Sequence, residues 1–153
     1  MKPSDLAALL SFASRLDLSR APAAREALQE AFPFEGDFVR SVAGLLRRGV
    51  AEGTLCDRGR APLQYSRIFP AGPESSGLSA DAVLMSVPGP RHRHPNGEID
   101  LFFAEEGNPR FDGQAPGWVV YPPDSVHVPT VEGGTMLILY LLPGGAIEFL
   151  GPG

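Results

Sequence analysis

The 153 residues of the chain carry 13 Lys and Arg against 18 Asp and Glu, which gives a net charge of −5. Hydrophobic residues make up 43% and charged residues 20%, the composition of a globular protein with a substantial core. The acidic balance argues against nucleic acid as a partner, because such contacts depend on cationic surface. No apolar run reaches the roughly 18 residues that a spanning helix needs, so we expect a protein that is not integral to a membrane.

The N-terminus and the single cysteine bear on the compartment. Residues 1–5 lack the basic-then-apolar pattern of a signal peptide. Cys56 is the only cysteine, which excludes an internal disulfide, and we interpret it as a packing residue. We therefore expect a cytoplasmic protein.

Three short helices are predicted at the start of the chain. Ser4 is the expected N-cap of the first, and apolar residues then recur at the spacing of one helical face. The second is predicted from Pro22 to the break at Pro33. The third is predicted from the N-cap Asp37 and ends before Gly53.

The helical segment, residues 1–55, has no excess of positive charge. Residues 1–56 carry seven Lys and Arg against seven Asp and Glu, so no basic face is available for DNA. We interpret the helices as packing material or as the arm of a homodimer, with DNA binding as a remote alternative.

Residues 56–153 have the texture of an antiparallel β-fold, with short apolar runs broken by Gly, Pro, Asn and Asp. Residues 71–80 are predicted as a loop, and Asn96-Gly97, Gly133-Gly134 and Pro143-Gly144-Gly145 as turns. Eight or nine evenly spaced strands favour a small antiparallel barrel or jelly roll, closed so that one face lines a cavity. The predicted strands are Leu63–Phe69, Ala82–Val87, Arg91–His94, Glu98–Ala104, Pro109–Asp112, Gly117–Tyr121, Val126–Val131, Met136–Leu141 and Ala146–Phe149.

All three histidines fall within 36 residues (127 − 92 + 1) of this β-region. Side chains alternate along a strand, so His92 and His94 point to one side. Glu98 returns after the turn and His127 lies one hairpin further on. This spacing predicts a site for a divalent transition metal such as zinc, iron or manganese.

Further candidates line the predicted cavity. Glu98 and Asp100 share one strand face, so both lie in the cavity or both in solvent, and the short turn after His94 favours the cavity. Arg67 shares a face with Leu63, Tyr65 and Phe69, from which its guanidinium could grip a substrate carboxylate. Tyr65, Tyr121 and Tyr140 are the aromatic candidates for contact with a substrate ring, with barrel filling as the alternative.

Two motifs carry a family resemblance. His92-x-His94-x-x-x-Glu98 is followed 18 residues later by Gly117-x-x-x-x-Pro122-x-Asp124-x-x-His127. The pair resembles the motifs of the cupin superfamily, whose barrel holds a metal on two histidines, a glutamate and a third histidine. Asp124 stands where the cupin pattern has a glycine.

A narrower resemblance covers nearly the whole chain. It rests on longer phrases: Arg93-His-Pro-Asn-Gly-Glu-Ile-Asp100, Phe111-Asp-Gly, Gly117-Trp, His127-x-Pro-Thr-Val and Leu139-Tyr-Leu-Leu-Pro-Gly-Gly-Ala-Ile-Glu-Phe149. These strings are similar to those of the 4-hydroxylaminobenzoate lyase family of nitroarene degradation. The resemblance implies a lyase that converts 4-hydroxylaminobenzoate to 3,4-dihydroxybenzoate and ammonia.

That chemistry suggests roles for the carboxylates. Glu98 is either a fourth metal ligand or the proton carrier, with Asp100 as its partner. We expect the carrier, because three histidines already satisfy a catalytic metal, and a raised pKa would suit that role. Two alternatives remain open: a metal-dependent oxygenase acting on an aromatic substrate, and a non-catalytic protein that binds a small aromatic molecule.

Overall fold

The computed structural model describes residues 1–151. The last two residues of the predicted β-segment, 152 and 153, lie outside the described residues. None of the described helices is long and apolar enough to cross a membrane.

Three α-helices open the chain, as predicted: α1 (Ala7–Ala13), α2 (Ala21–Ala31) and α3 (Asp37–Glu52). Ser4 is not an N-cap but lies within a turn of 3-10 helix, Pro3–Leu6, that leads into α1. At the other end of the segment Gly53 closes α3 in the left-handed conformation, with φ +75°. Glycine adopts that conformation without steric penalty, which ends the helix where the sequence predicts.

The β-region contains two antiparallel sheets within the described residues. The large sheet has the strand order β1-β2-β3-β8-β5-β6, and the small one β7-β4-β9. The jelly-roll prediction is confirmed, but the expected closed barrel is not formed, because no pair of strands within residues 1–151 joins the two sheets by a hydrogen-bonded ladder. The strands are β1 (Arg58–Arg60), β2 (Leu63–Phe69), β3 (Leu78–Met85), β4 (His92–His94), β5 (Glu98–Phe111), β6 (Gly117–Tyr121), β7 (Ser125–His127), β8 (Val131–Pro143) and β9 (Glu148–Phe149).

Several predicted strand bounds are wrong. β3 starts at Leu78, inside the predicted loop, and the candidate strand at 109–112 is largely the end of the long strand β5. Gly133 and Gly134 do not form a turn but lie inside β8, at an irregularity of the β5–β8 register. Glycine occurs here because the backbones of β5 and β8 approach each other closely: a Cβ on Gly133 would lie 2.9 Å from the carbonyl oxygen of Asn108. Glycine-rich pairs serve bulges as well as turns.

Strand β5 separates two cores. Ile99, Leu101 and Phe103 face the helices, which cover the outer side of the large sheet. Phe102 belongs to a second cluster between the sheets, together with Phe111. Because both faces of the strand are buried, the alternate residues Glu98 and Asp100 are held inside the protein.

Trp118 on β6 fastens the helical segment to the sheet. Its indole Nε1 donates to the carbonyl oxygen of Phe32 (2.8 Å), and its own carbonyl accepts from Arg25 Nε (2.7 Å). The side chain is fully buried, and burial of so large an apolar group stabilises the fold by about 3 kcal/mol or more. The helices thus support the outer side of the sheet whose inner side carries Glu98 and Asp100.

Candidate metal centre

Four side chains converge between the two sheets. His92 and His94 lie on β4, and His127 lies on β7 directly opposite His92 in the strand register. Glu98 begins β5 after the Asn96-Gly97 turn, in which the Gly97 N–H donates to the His94 carbonyl (3.2 Å). One ligand atom from each of the four residues lies within 4.8 Å of the others, so the cluster could hold a metal ion.

The outer nitrogen of each histidine is anchored. His92 Nδ1 lies 3.0 Å from the carbonyl oxygen of Pro90, which can only accept, so Nδ1 is the donor. His94 Nδ1 lies 2.9 Å from Ser125 Oγ, whose own hydrogen goes to the Pro122 carbonyl at 2.6 Å. The Ser125 hydroxyl therefore accepts from His94.

The third anchor is a carboxylate. His127 Nδ1 donates to Asp112 Oδ2 at 2.7 Å. With all three Nδ1 atoms acting as donors to groups outside the cluster, the Nε2 atom of each ring points to its centre. Such outer hydrogen bonds orient metal-binding histidines in proteins.

The inward nitrogens fit a cation. His92 Nε2 lies 2.8 Å from His94 Nε2 and 3.1 Å from His127 Nε2. Two nitrogens that share a metal at about 2.1 Å and at right angles would lie about 3.0 Å apart. In addition Glu98 Oε2, which contacts His94 Nε2, is buried and has no hydrogen-bond partner within the described residues. Converging lone pairs with an ionised carboxylate are stabilised by a positive ion at their centre.

The two buried carboxyl groups differ in their electrostatics. Burial by itself raises the pKa of Glu98, but the adjacent imidazoles of His92 and His94 have the larger combined effect, and the pKa ends below its ordinary value. For Asp100, burial and the neighbouring Glu98 charge raise the pKa well above its ordinary value. A lowered pKa fits the ligand alternative for Glu98, in which the carboxylate stays ionised, and the raised pKa that suits a proton carrier belongs to Asp100. Both Asp100 oxygens are buried without a hydrogen-bond partner in residues 1–151.

A cavity of about 820 Å³ opens beside the cluster, and His92 and Glu98 form part of its wall. Its lining is mostly apolar and includes Leu63, Val83 and Leu142. Pockets for small organic ligands have this size and character. The arrangement therefore offers a metal-binding group at one side of a cavity that can hold an aromatic molecule.

Comparison with known proteins identifies the family. The sequence model of the 4-hydroxylaminobenzoate lyase (PnbB) family matches residues 11–149. The 4-hydroxylaminobenzoate lyase of Nocardioides sp. (strain LMS-CY) is 32% identical over 133 residues, which cover 80% of this chain and 78% of that relative. The chain belongs to the 4-hydroxylaminobenzoate lyase family.

Solved structures resemble part of this lyase. An RmlC-like cupin protein of Ralstonia eutropha JMP134 matches with a TM-score of 0.45 and 18% identity over 60% of this chain and 61% of that chain. The DMSP lyase DddQ of Ruegeria pomeroyi DSS-3 matches with a TM-score of 0.43 and 23% identity over 60% and 55% of the two chains.

The predicted substrate-binding residues of the lyase lie in different places. Tyr65, Arg67 and Tyr140 line the cavity. Tyr121 instead packs against the rings of His94 and His127, at centroid distances of 5.5 and 4.5 Å. Its hydroxyl donates to Asp112 Oδ2 at 2.7 Å, so in this structure Tyr121 supports the histidine cluster.

The face predicted for β2 is partly wrong. Leu63, Tyr65 and Arg67 line the cavity, but the register with β3 shifts between Arg67 and Phe69. This bulge turns Phe69 into the core beneath the helices. Arg67 forms an ion pair with Asp81 rather than standing free.

Sequence reasoning missed two supporting residues, Ser125 and Asp112. Asp112 carries a local signal, because it precedes Gly113 in a turn and adopts φ +48°, a region that Asp tolerates better than most residues. Asp124 also adopts a positive φ, +65°, at the position where the cupin pattern has glycine. The partners of Ser125 and Asp112 lie on other strands, so no local pattern reveals them.

Proposed function

We propose that the protein converts 4-hydroxylaminobenzoate to 3,4-dihydroxybenzoate with release of ammonia. The observation that supports this most directly is the convergence of three histidines and Glu98 beside a cavity, with His92 and Glu98 in its wall, in a member of this lyase family. The finer assignment, product and leaving group included, is our own inference.

The proposed reaction is redox-neutral and consumes one water. The N–O bond of the hydroxylamine breaks and its hydroxyl departs as water, two water oxygens become the ring hydroxyls at positions 3 and 4, and nitrogen leaves as ammonia, so that the net uptake is one water. Such a reaction needs an acid for the departing hydroxyl, a base for water, and stabilisation of the charge that develops between them.

We assign metal binding to His92, His94, His127 and Glu98. A divalent transition metal, such as zinc, iron or manganese, would supply a Lewis acid there and polarise an oxygen of substrate or water. The anchored Nδ1 atoms hold the three imidazoles with Nε2 aimed inward, which preorganises the ligands.

We assign proton transfer to the pair formed by Glu98 and Asp100. Glu98 borders the cavity, and Asp100 follows two residues later on the same buried face. A proton that moves between the carboxyl oxygens of these residues is shielded from bulk water, since they are 1% and 0% exposed. Glu98 would therefore serve both as a ligand and as the link between Asp100 and the substrate.

The remaining wall suits the rest of the substrate. Tyr140 is buried beside Asp100 in the strand register and lines the cavity, where its ring can contact the aryl ring. Tyr65, half exposed at 48%, lies on the same wall. Arg67 supplies a cation for the substrate carboxylate.

Product analysis tests this proposal. The purified protein is incubated with 4-hydroxylaminobenzoate with and without oxygen, and catechol and ammonia are quantified by chromatography and a coupled assay. We expect equal amounts of 3,4-dihydroxybenzoate and ammonia in both atmospheres. Product that forms only with oxygen uptake would indicate an oxygenase, and ligand binding without product would indicate a non-catalytic binding protein.

A further inference from the structure

The guanidinium of Arg67 is held along one edge only. Its Nε lies 2.8 Å from Asp81 Oδ1, and its Nη2 lies 3.3 Å from Asp81 Oδ2. Asp81 is the only hydrogen-bond partner of this guanidinium within residues 1–151. A guanidinium has a second edge, formed by Nη1 and the other N–H of Nη2, which matches a second carboxylate in the same bidentate manner.

The chain leaves space at that second edge. Gly145, in the turn after β8, has φ +68°, and a Cβ built on it would lie 3.3 Å from Arg67 Nη1. A side chain at this position would crowd Nη1, whereas glycine leaves it accessible. Because Asp81 fixes the plane of the guanidinium, the open edge has a defined direction.

Strand register sets the separation between this cation and the reacting groups. Arg67 pairs with Asp81, Asp81 with Tyr140, and Tyr140 with Asp100 across four adjacent strands. Three strand spacings of about 4.8 Å separate the backbones of Arg67 and Asp100 by about 14 Å. Arg67 and Glu98 both line the cavity, so an aryl ring that lies between them could place its carboxylate at Arg67 and its hydroxylamine at Glu98.

We propose that Asp81 is a positioning residue: it orients Arg67 so that the open guanidinium edge binds the carboxylate of the aryl substrate. This pair would make the cavity selective for carboxylated over neutral aryl hydroxylamines. The inference deepens the proposed function and rests on it for the identity of the substrate.

The positioning role of Asp81 and the effect of its charge alone predict opposite changes in anion binding. Asp81 is itself negative, so removal of its charge should tighten the binding of an anion if the residue acts only through its field. If Asp81 acts by orienting Arg67, its replacement should weaken binding of the anion. Asp57 provides the matched control, because it is another carboxylate on the cavity wall and forms no hydrogen bond or ion pair with Arg67.

The experiment compares Asp81→Asn and Asp57→Asn by calorimetric binding of two inert probes, 4-methylbenzoate and its neutral analogue 4-methylbenzamide. In Asp81→Asn we expect the acid to bind about tenfold or more weakly, the worth of a charge-assisted hydrogen bond, with binding of the amide unchanged. Asp57→Asn should leave the binding of the acid unchanged or tighten it. Tighter or unchanged binding of the acid in Asp81→Asn would overturn the proposal, as would equal losses for acid and amide.

A double-mutant cycle tests whether Asp81 acts through Arg67. Arg67→Leu should weaken binding of the acid, and Asp81→Asn added to Arg67→Leu should cause no further loss. A further loss in the double variant would contradict the positioning role. Asp81→Glu, which keeps both oxygens, should retain the preference for the acid, and Asp81→Ala offers a second truncation with the same expected loss.

Turnover of 4-hydroxylaminobenzoate separates this inference from the proposed function. In Asp81→Asn we expect the Michaelis constant to rise with little change in kcat, because the carboxylate is remote from the reacting nitrogen. Acid selectivity that depends on Asp81 in a protein that forms no product would refute the proposed function alone. Normal product formation with an unchanged Michaelis constant in Asp81→Asn would refute the positioning role alone.

Discussion

The Nδ1 of His127 donates a 2.7 Å hydrogen bond to Asp112 Oδ2, and through this contact a residue outside the predicted ligand set controls one of its members. The same oxygen accepts from the Tyr121 hydroxyl, and Asp112 Oδ1 accepts from the Thr130 N–H at 3.0 Å. Asp112 is thus held by three donors while it orients the imidazole. Burial raises the pKa of Asp112. The three hydrogen bonds, of which the one from His127 has the largest effect, outweigh burial and lower the pKa below its ordinary value.

The first prediction concerns this contact. Asp112→Asn keeps the size of the side chain and tolerates the positive φ, but it loses the charge that stabilises the His127 N–H. We expect metal affinity to fall by about 10- to 100-fold, measured by competition with a chromophoric chelator. Asp124→Asn is the control, because Asp124 also has a positive φ but its side chain contacts Arg93 instead of a histidine side chain. Equal affinities for the two variants would contradict the role of Asp112.

The second prediction concerns metal content. The purified protein should hold about one transition metal per chain by elemental analysis, and His92→Ala or His94→Ala should empty the site. Metal present at 100 times its dissociation constant adds about 2.7 kcal/mol, so chelation should lower the melting temperature by about 5–10 °C. Arg91→Ala, next to His92 in the sequence, should leave the metal content unchanged. A melting temperature that does not change with chelator or with added zinc, iron or manganese would contradict metal binding at this site.

The third prediction concerns Glu98. Glu98→Gln replaces an ionised ligand by a neutral amide, so we expect weaker metal binding and turnover lowered by about a hundredfold or more. Glu106→Gln, an exposed change in the same strand, is the control. Metal retained at full affinity with turnover lost would instead identify Glu98 as a proton carrier only. Full retention of both properties would exclude Glu98 from the mechanism.

The fourth prediction links Asp100 to stability. The folded-state pKa of Asp100 is raised, so ionisation opposes folding, and the loss of stability grows as pH rises from its unfolded value of 3.8 towards the folded value. In chelator-treated protein, Asp100→Asn should therefore melt at a higher temperature than the parent near neutral pH. The difference should vanish at acid pH, and turnover should fall. Asp57→Asn should show no such pH-dependent gain, and a melting temperature for Asp100→Asn below the parent at neutral pH would refute the argument.

Local sequence patterns predicted the elements that depend on short-range physics. Helices α2 and α3, strands β2 and β6, and the turn at Asn96-Gly97 all occur where periodicity and turn residues indicate. Strand alternation also placed His92 and His94 on one side. These features depend on residues within a few positions of one another, which a single sequence displays directly.

The pairing of strands that are far apart in the chain could not be predicted in this way. The Gly133-Gly134 pair is a typical turn signal, yet these residues lie within β8 because the neighbouring strand β5 approaches them closely. The alternation rule placed Phe69 beside Arg67, and a bulge moved it to the other face. Neither the bulge nor the partner strand is encoded in the immediate neighbourhood of the residue.

The sequence by itself determined the family, the division into a helical segment followed by a β-region, and the three histidines with Glu98 as candidate ligands. Only the tertiary structure decided that Asp112 and Ser125 fix the histidine tautomers, that Asp100 rather than Glu98 has the raised pKa, and that Arg67 is paired with Asp81. The physical reason is that hydrogen bonds, burial and ion pairs depend on distances between strands far apart in the chain. Those distances exist only once the two sheets have packed against each other.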